Sequence, residues 1–272
     1  MNNKEELKKE IDELPLFDKR DIQVKHATDE RFVGCEGYKA ICQVDMWQPY
    51  AFVGNGYNLV QFHEVFHPIL DAIEGEVKGR IINYNGFAAM VMFPEDEALV
   101  QGDSKFGLIA MNSVDCSSAV VLKFCVDHKG RRISIPAKVA GIKKTHRGKV
   151  VDLVRDYSQF LGSVKDAWTF IIENFPKMHI VEKINENDEY EHEVIEFDTV
   201  VKKWGFGSRL TKKLKKDYDY TKIDGKEYTL WDLFVDALDK VSSQKYKSDV
   251  HKQKNIDKLC NSVFEMRMIA AL

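Results

Sequence analysis

No apolar run in the sequence is long enough to cross a bilayer. Phe87 to Phe93 is typical of its short stretches, against the ~18 residues that spanning requires. A membrane partner is therefore not expected. Export is not expected either, because the opening MNNKEELKKEIDELP is charged where a secretory signal is apolar. Cysteine is scarce: Cys35, Cys42, Cys116, Cys125 and Cys260 form no CxxC pair, and an odd number suits reduced thiols in the cytoplasm. No GxxxxGK[ST] loop is present to cradle a nucleotide, and Gly205-Phe206-Gly207 lacks the third glycine of a dinucleotide fingerprint. ATP-driven work is not expected, and no cofactor is implied. Neither a 20–50-residue repeat nor a low-complexity segment occurs.

Acidic residues are missing from two windows. Lys129 to Lys149 holds eight cations and no acid, and Lys202 to Lys216 holds seven more, again with no acid. Together they carry +15 in a chain whose net charge is −3, so −18 sits elsewhere, much of it between Glu182 and Asp198. Such windows form a local positive field for a polyanion while the remaining surface keeps the protein soluble. A solvated face or loop is the ordinary alternative.

With 44% hydrophobic and 31% charged residues, the 272-residue chain has a core to build and a surface to solvate. Leu7, Ile11 and Leu14 have helical spacing and precede Pro15, predicting a short first helix. Residues 15–48 carry no clear period. Tyr50 to Val60 is β-rich around Gly54-Asn55-Gly56. Glu76 to Tyr84 and Phe87 to Phe93 flank Asn85-Gly86, the pair that suits a type I′ hairpin turn. Lys105 to Asn112 and Ser118 to Asp127 read as further strands. Asp127-His128-Lys129-Gly130 reads as a turn, with Arg131 to Ile135 returning and Pro136 stopping it. From Val150 to Phe175 apolar residues recur at three- and four-residue steps, predicting a helix of roughly 25 residues, about 40 Å long, that backs the sheet. Thr229 to Ser242 and Val250 to Ala271 are helical, the latter with Ile256, Leu259, Val263, Met266 and Ile269 as its stripe.

The expected class is α+β: an antiparallel β-meander backed by a long helix, followed by a helical carboxy-terminal part. The expected divisions are an N-terminal segment (1–48), the sheet and long helix (49–176), an acidic connector (177–200), and a basic segment with the last helices (201–272).

The sharpest catalytic motif is His63-Glu64-Val65-Phe66-His67, an HExxH that in a zinc protease sets two imidazoles and a general base on one helix. Pro68 follows at once and is expected to interrupt that helix. Phe62, Val65, Phe66, Ile69 and Leu70 instead suit the apolar side of a helix start. Cys125 alternates in a strand as a small core residue, and no nuclease-like carboxylate set is recognisable. No catalytic or metal residue is therefore assigned.

The remaining chemistry is cationic. Lys143, Lys144, His146, Arg147 and Lys149, beside Gly148 and ahead of the long helix, supply donors to phosphate oxygens, with Arg131 and Arg132 close by in sequence. Neutralising about five phosphates of a single strand gives a log–log salt slope near −3.5. The second cluster is Lys202, Lys203, Arg209, Lys212 and Lys213. There Trp204 and Phe206 stand among the cations, where a base could stack on either ring or the rings could anchor the segment.

Four stretches occur in an order that resembles a known family. They are Tyr57-Asn58-Leu59-Val60-Gln61, then Asn112 to Ala119, then Thr145-His146, and finally Thr229-Leu230-Trp231-Asp232-Leu233-Phe234 with Ala237-Leu238. The chain resembles, over roughly residues 50–270, the LtrC-like phage/plasmid-like family of undefined function. The sheet-then-helix layout is similar to that of RecT, Redβ and Erf single-strand annealing proteins. The similarity implies a homo-oligomer whose basic groove holds a single strand. The expectation is a non-enzymatic, cytoplasmic protein of a phage or mobile element that binds single-stranded nucleic acid. The alternatives are an assembly module and a metal-dependent hydrolase using His63 and His67.

Overall fold

The computed structural model describes residues 1–25, 28, 31–114, 119–138, 141–144, 161–184, 193–221 and 228–270. The fold is α+β, with an antiparallel sheet and carboxy-terminal helices. The chain forms two compact units, Met1–Arg132 with Gly141–Ser158, and Ile133–Ala140 with Gln159–Leu272.

The first unit opens with α1 (Lys4–Asp12). The Asn3 side chain accepts from the Glu6 N–H, and the Glu6 carboxylate accepts from the Asn3 N–H, each at 2.9 Å, satisfying two donors that a helix start leaves open. Strands β1 (Phe17–Lys25), β2 (Phe32–Gln43) and β3 (Pro49–Gly54) form an antiparallel sheet across the stretch that sequence periodicity leaves unassigned. One face is anchored by Phe17, Ile41 and Val53, all buried, with the Phe17 ring edge-on to Tyr50 and Phe62. The Gln61 carboxamide completes the anchor, accepting from the Phe17 N–H at 3.1 Å and donating to its carbonyl at 2.8 Å.

Next come α2 (Phe62–Ala72) and the larger sheet: β4 (Val77–Tyr84), β5 (Phe87–Pro94), β6 (Val100–Gln101), β7 (Ser104–Ser113), β8 (Val120–His128), β9 (Arg131–Ser134) and β10 (Gly141–Lys144). Its order is β10-β8-β7-β5-β4, every pairing antiparallel, with β6 on β7 and β9 on β8. The predicted hairpin turn is present, with φ of +46° at Asn85 and +73° at Gly86. All of β5, nearly all of β7 and most of β8 are buried, so the central strands are covered on both faces. Within this unit α1 packs against β4 and α2 against β7. Asn112, fully buried, reaches from β7 to donate to the Val60 carbonyl at 2.9 Å just before α2.

The second unit holds α3 (Leu161–Asn174), the described part of the predicted long helix, which ends in one 3₁₀ turn at Phe175–Lys177 beside Pro176. A parallel pair, β11 (His179–Val181) and β12 (Val194–Glu196), brackets the acidic stretch. Then follow α4 (Phe197–Lys203), α5 (Ser208–Thr221), α6 (Leu230–Ser243) and α7 (Asp249–Ala270). A capping box between Thr229 and Asp232 starts α6, which packs against α5 and α7. The core is aromatic: Trp168 meets Trp231, and Phe234 meets both Trp231 and Trp204, all edge-to-face.

Two predictions follow from the first unit. A Cβ at Gly79 would stand 2.7 Å from the Val91 carbonyl oxygen and 2.8 Å from Leu7 Cδ1, in the seam between β4 and α1. Gly79→Ala should cost about 1–3 kcal/mol in denaturant unfolding; unchanged stability would mean that α1 does not press on β4. The second concerns His128, whose Nδ1 lies 2.8 Å from Ser104 Oγ across β7 and β8. Burial holds the imidazole below its usual 6.5, reinforced by Lys129 and opposed by Asp103. The folded state thus favours neutral His128, so this contribution is present above 6.5 and lost as pH falls through the lowered folded value. Between pH 7.5 and 5.5 the wild type should lose more Tm than His128→Gln; equal losses would exclude the effect.

Candidate nucleic-acid interface

The Lys202–Lys216 window forms the end of α4, an elbow, and most of α5. Phe197, Val200 and Val201 bury the inner side of α4, leaving Lys202 and Lys203 exposed in its last turn, where cations oppose the negative end of the helix dipole. Gly205, at φ +65°, turns the chain, a conformation that a side chain would strain. In α5, Leu214 is fully buried and Leu210, one turn earlier, is half-buried. That phase places Arg209, Lys212, Lys213 and Lys216, spaced i, i+3, i+4 and i+7, along one exposed stripe. Lys215 lies off the stripe and pairs with Glu182 of the acidic stretch at 3.5 Å. Lys202, Lys203, Arg209, Lys212 and Lys213 have no carboxylate partner among the described side chains.

Trp204 requires a correction. The sequence reading offers it as a surface on which a base could stack; the structure leaves it 1% exposed, edge-on to Phe206 at 5.5 Å and to Phe234 at 6.2 Å. A ring so enclosed offers no exposed face for a base to stack on, and it anchors the elbow instead.

Beside the stripe, between α5 and α6, lies a cavity of about 330 Å³ lined by Lys213, Lys216, Lys240, Ser243 and Gln244. Lys240 and Gln244 lie outside both acid-free windows, and only the packing of α6 on α5 brings them to Lys213.

The first window is less open. Lys129 pairs with Asp103 at 3.3 Å, and Lys138 is ion-paired with Glu265. Arg131 and Arg132 are half-buried in β9, and the Arg132 Nε is shielded from solvent. Lys143 is exposed in β10, of which Lys144 is the last residue; His146, Arg147 and Lys149 lie outside the described residues. The two windows fall in different units, apart from Lys138, which belongs to the second.

The HExxH stretch also requires a correction. Pro68 does not interrupt α2, which continues to Ala72. An interior proline costs about 3 kcal/mol, but Phe62, Val65, Phe66, Ile69 and Leu70 are all buried, and at roughly 1.5–3 kcal/mol each they outweigh it. Glu64 caps the helix, its carboxylate accepting from the Gln61 N–H at 2.7 Å, and His67 Nε2 lies 2.8 Å from Asp12 of α1. Among the described residues no third His, Cys, Asp or Glu completes a metal-binding group there. Cys125 is fully buried in β8, as its alternation predicts, and Cys116 lies outside the described residues.

No helix among the described residues is long and apolar enough to cross a membrane. Compared with protein-family models, curated proteins and solved structures, the chain matches none of them.

Proposed function

We propose that the second unit binds single-stranded nucleic acid through the outward face of α4 and α5, as a charge-based, non-catalytic interaction. The observation that carries this reading is the exposed set Lys202, Lys203, Arg209, Lys212 and Lys213, without carboxylate partners among the described side chains. Cations held at helical spacing meet a polyanion's repeating charges without reading its sequence. The finer reading, an annealing or recombination factor of a phage or mobile element acting on DNA, rests on the family resemblance alone.

Anisotropy of a labelled single-stranded oligonucleotide tests the proposal. Five phosphate contacts give a log–log salt slope of about −3.5, and Lys212→Gln with Lys213→Gln should reduce its magnitude by about 1.4, equally for all sequences. The same pair of substitutions should leave Tm unchanged or raised, because like-charge neighbours are removed. No retention of the oligonucleotide at about 50 mM salt would overturn the reading.

A separate observation favours a second reading, a self-assembly module, in the first unit. The face of the three-stranded sheet opposite Phe17 presents Tyr38 and Phe52, 57% and 64% exposed, around the small Ala40. Trp47, 88% exposed, lies 5.0 Å over the Arg20 guanidinium, which donates to the Val44 and Met46 carbonyls. Three exposed rings on one face exceed the scattered exposure of ordinary surfaces, and a second copy of the chain is the occupant this reading names. Light scattering of the eluting full chain should show an assembly that Trp47→Ser with Phe52→Ser dissociates. A monomer at every concentration would remove this reading.

A further inference from the structure

The outer halves of β1 and β2 form a two-stranded arm with an open edge. Every residue of β2 from Phe32 to Tyr38 is exposed, as are Gln23, Val24 and Lys25 of β1 opposite. Between the Asp21–Lys39 and Gln23–Gly34 pairs β1 advances two residues and β2 five, and Gly37, at φ +87°, turns the strand. Strand β3 pairs with β2 only from Tyr38 to Cys42, and just past β3 the Asn55 N–H donates to the Gly37 carbonyl at 3.0 Å. Phe32–Glu36 therefore has β1 on one side and, among the described residues, no strand on the other. A two-stranded ribbon alone is marginal in water, and an apolar edge is a template for a further strand. Charge or proline commonly blunts such an edge. Here Phe32, Val33, Gly34 and Cys35 carry neither, and Val24, Phe32 and Val33 are 55%, 64% and 55% exposed.

We infer that β2 pairs antiparallel with β2 of a second copy along Phe32–Glu36, joining the two small sheets edge to edge. An antiparallel pair of identical strands maps onto itself under a two-fold axis, so the edge needs no partner surface but its own. The five residues match themselves when Gly34 lies on the axis. Val33 then faces Cys35 of the second copy, and Phe32 faces Glu36, so the only charged side chain of the stretch meets a phenyl ring and not its own equivalent. This inference rests on the self-assembly reading above and adds the strand and the register, which the aromatic face alone does not give.

The test is a charge swap on the axis in the full-length chain. A Cβ at Gly34 meets nothing within 4 Å among the described residues, and its φ is not left-handed, so Gly34→Lys and Gly34→Glu should each leave Tm unchanged. Either variant alone sets like charges face to face and should weaken assembly roughly tenfold or more in light scattering. Mixed in equal amounts, the two should assemble at least as tightly as the wild type. Independently, Val33→Cys should link to the exposed native Cys35 of the second copy under mild oxidation, giving a disulfide dimer that an added Cys35→Ser abolishes. Assembly that ignores both charges, that mixing fails to restore, or that yields no such link would overturn the edge pairing. If Trp47→Ser with Phe52→Ser still dissociates it, the aromatic-face reading stands without the edge. A wild type that is monomeric at every concentration would overturn both.

Discussion

The packing of Trp204 sets the geometry of the second unit's surface. Its ring, edge-on to Phe206 and Phe234, fixes the elbow between α4 and α5 and with it the rotational phase of α5. Once Leu214 must face inward, Arg209, Lys212, Lys213 and Lys216 have no other side to occupy. Among the described residues the buried indole N–H has no hydrogen-bond partner, an arrangement that costs about 1–3 kcal/mol. Aromatic contacts add about 0.5–1.5 kcal/mol each beyond burial of the ring, enough to outweigh that loss. What Trp204 contributes is its shape, and that shape decides where the charge goes.

The stripe itself is unfavourable for an isolated helix. Arg209–Lys212, Arg209–Lys213, Lys212–Lys216 and Lys213–Lys216 are like-charge neighbours at three- or four-residue spacing. At ~0.2–0.5 kcal/mol each they oppose helix formation by about 1–2 kcal/mol. Burial of Leu214 alone, at about 1.5–3 kcal/mol, sustains the helix against this. An arrangement in which core packing holds mutually repelling cations in register is one that a bound anion stabilises. A disordered basic loop has no such register, and that difference favours a binding surface over a merely solvated one.

Legibility in the sequence followed how locally each feature is determined. The Asn85-Gly86 hairpin and the strands β7 and β8 could be read directly, because turn chemistry and alternation are properties of neighbouring residues. So could the helices beginning at Thr229 and near Val250. Strands β1 and β2 could not: most of β2 is exposed on both sides, a bulge shifts the register between Asp21 and Gln23, and Gly37 adopts φ +87°, so no period survives. Helix α2 was read as interrupted because the local penalty of Pro68 is visible in sequence, whereas the tertiary burial that outweighs it is not. Of the candidate site, the cations of α4 and α5 were visible as composition and their stripe only after the helix was placed. Lys240 left no signal: it sits among Asp236, Asp239 and apolar residues in an ordinary amphipathic helix, and becomes part of a cationic cavity only through the packing of α6 on α5.

Burial of the central strands bears on where the proposed nucleic-acid interface has room to form. An antiparallel sheet commonly keeps one face wet, and that face is a natural platform for a ligand. Here β5 has no exposed residue, and the exposed side chains of the larger sheet are confined to its margins, such as Lys78 and Arg80 on β4 and Lys143 on β10. A groove along the middle strands would require unpacking a core in which Met90, Val91, Ile109 and Ala110 are wholly shielded. The sheet is therefore a scaffold. The surfaces with chemistry to offer are peripheral: an aromatic face on the small sheet of the first unit, and a cationic helix with its cavity in the second.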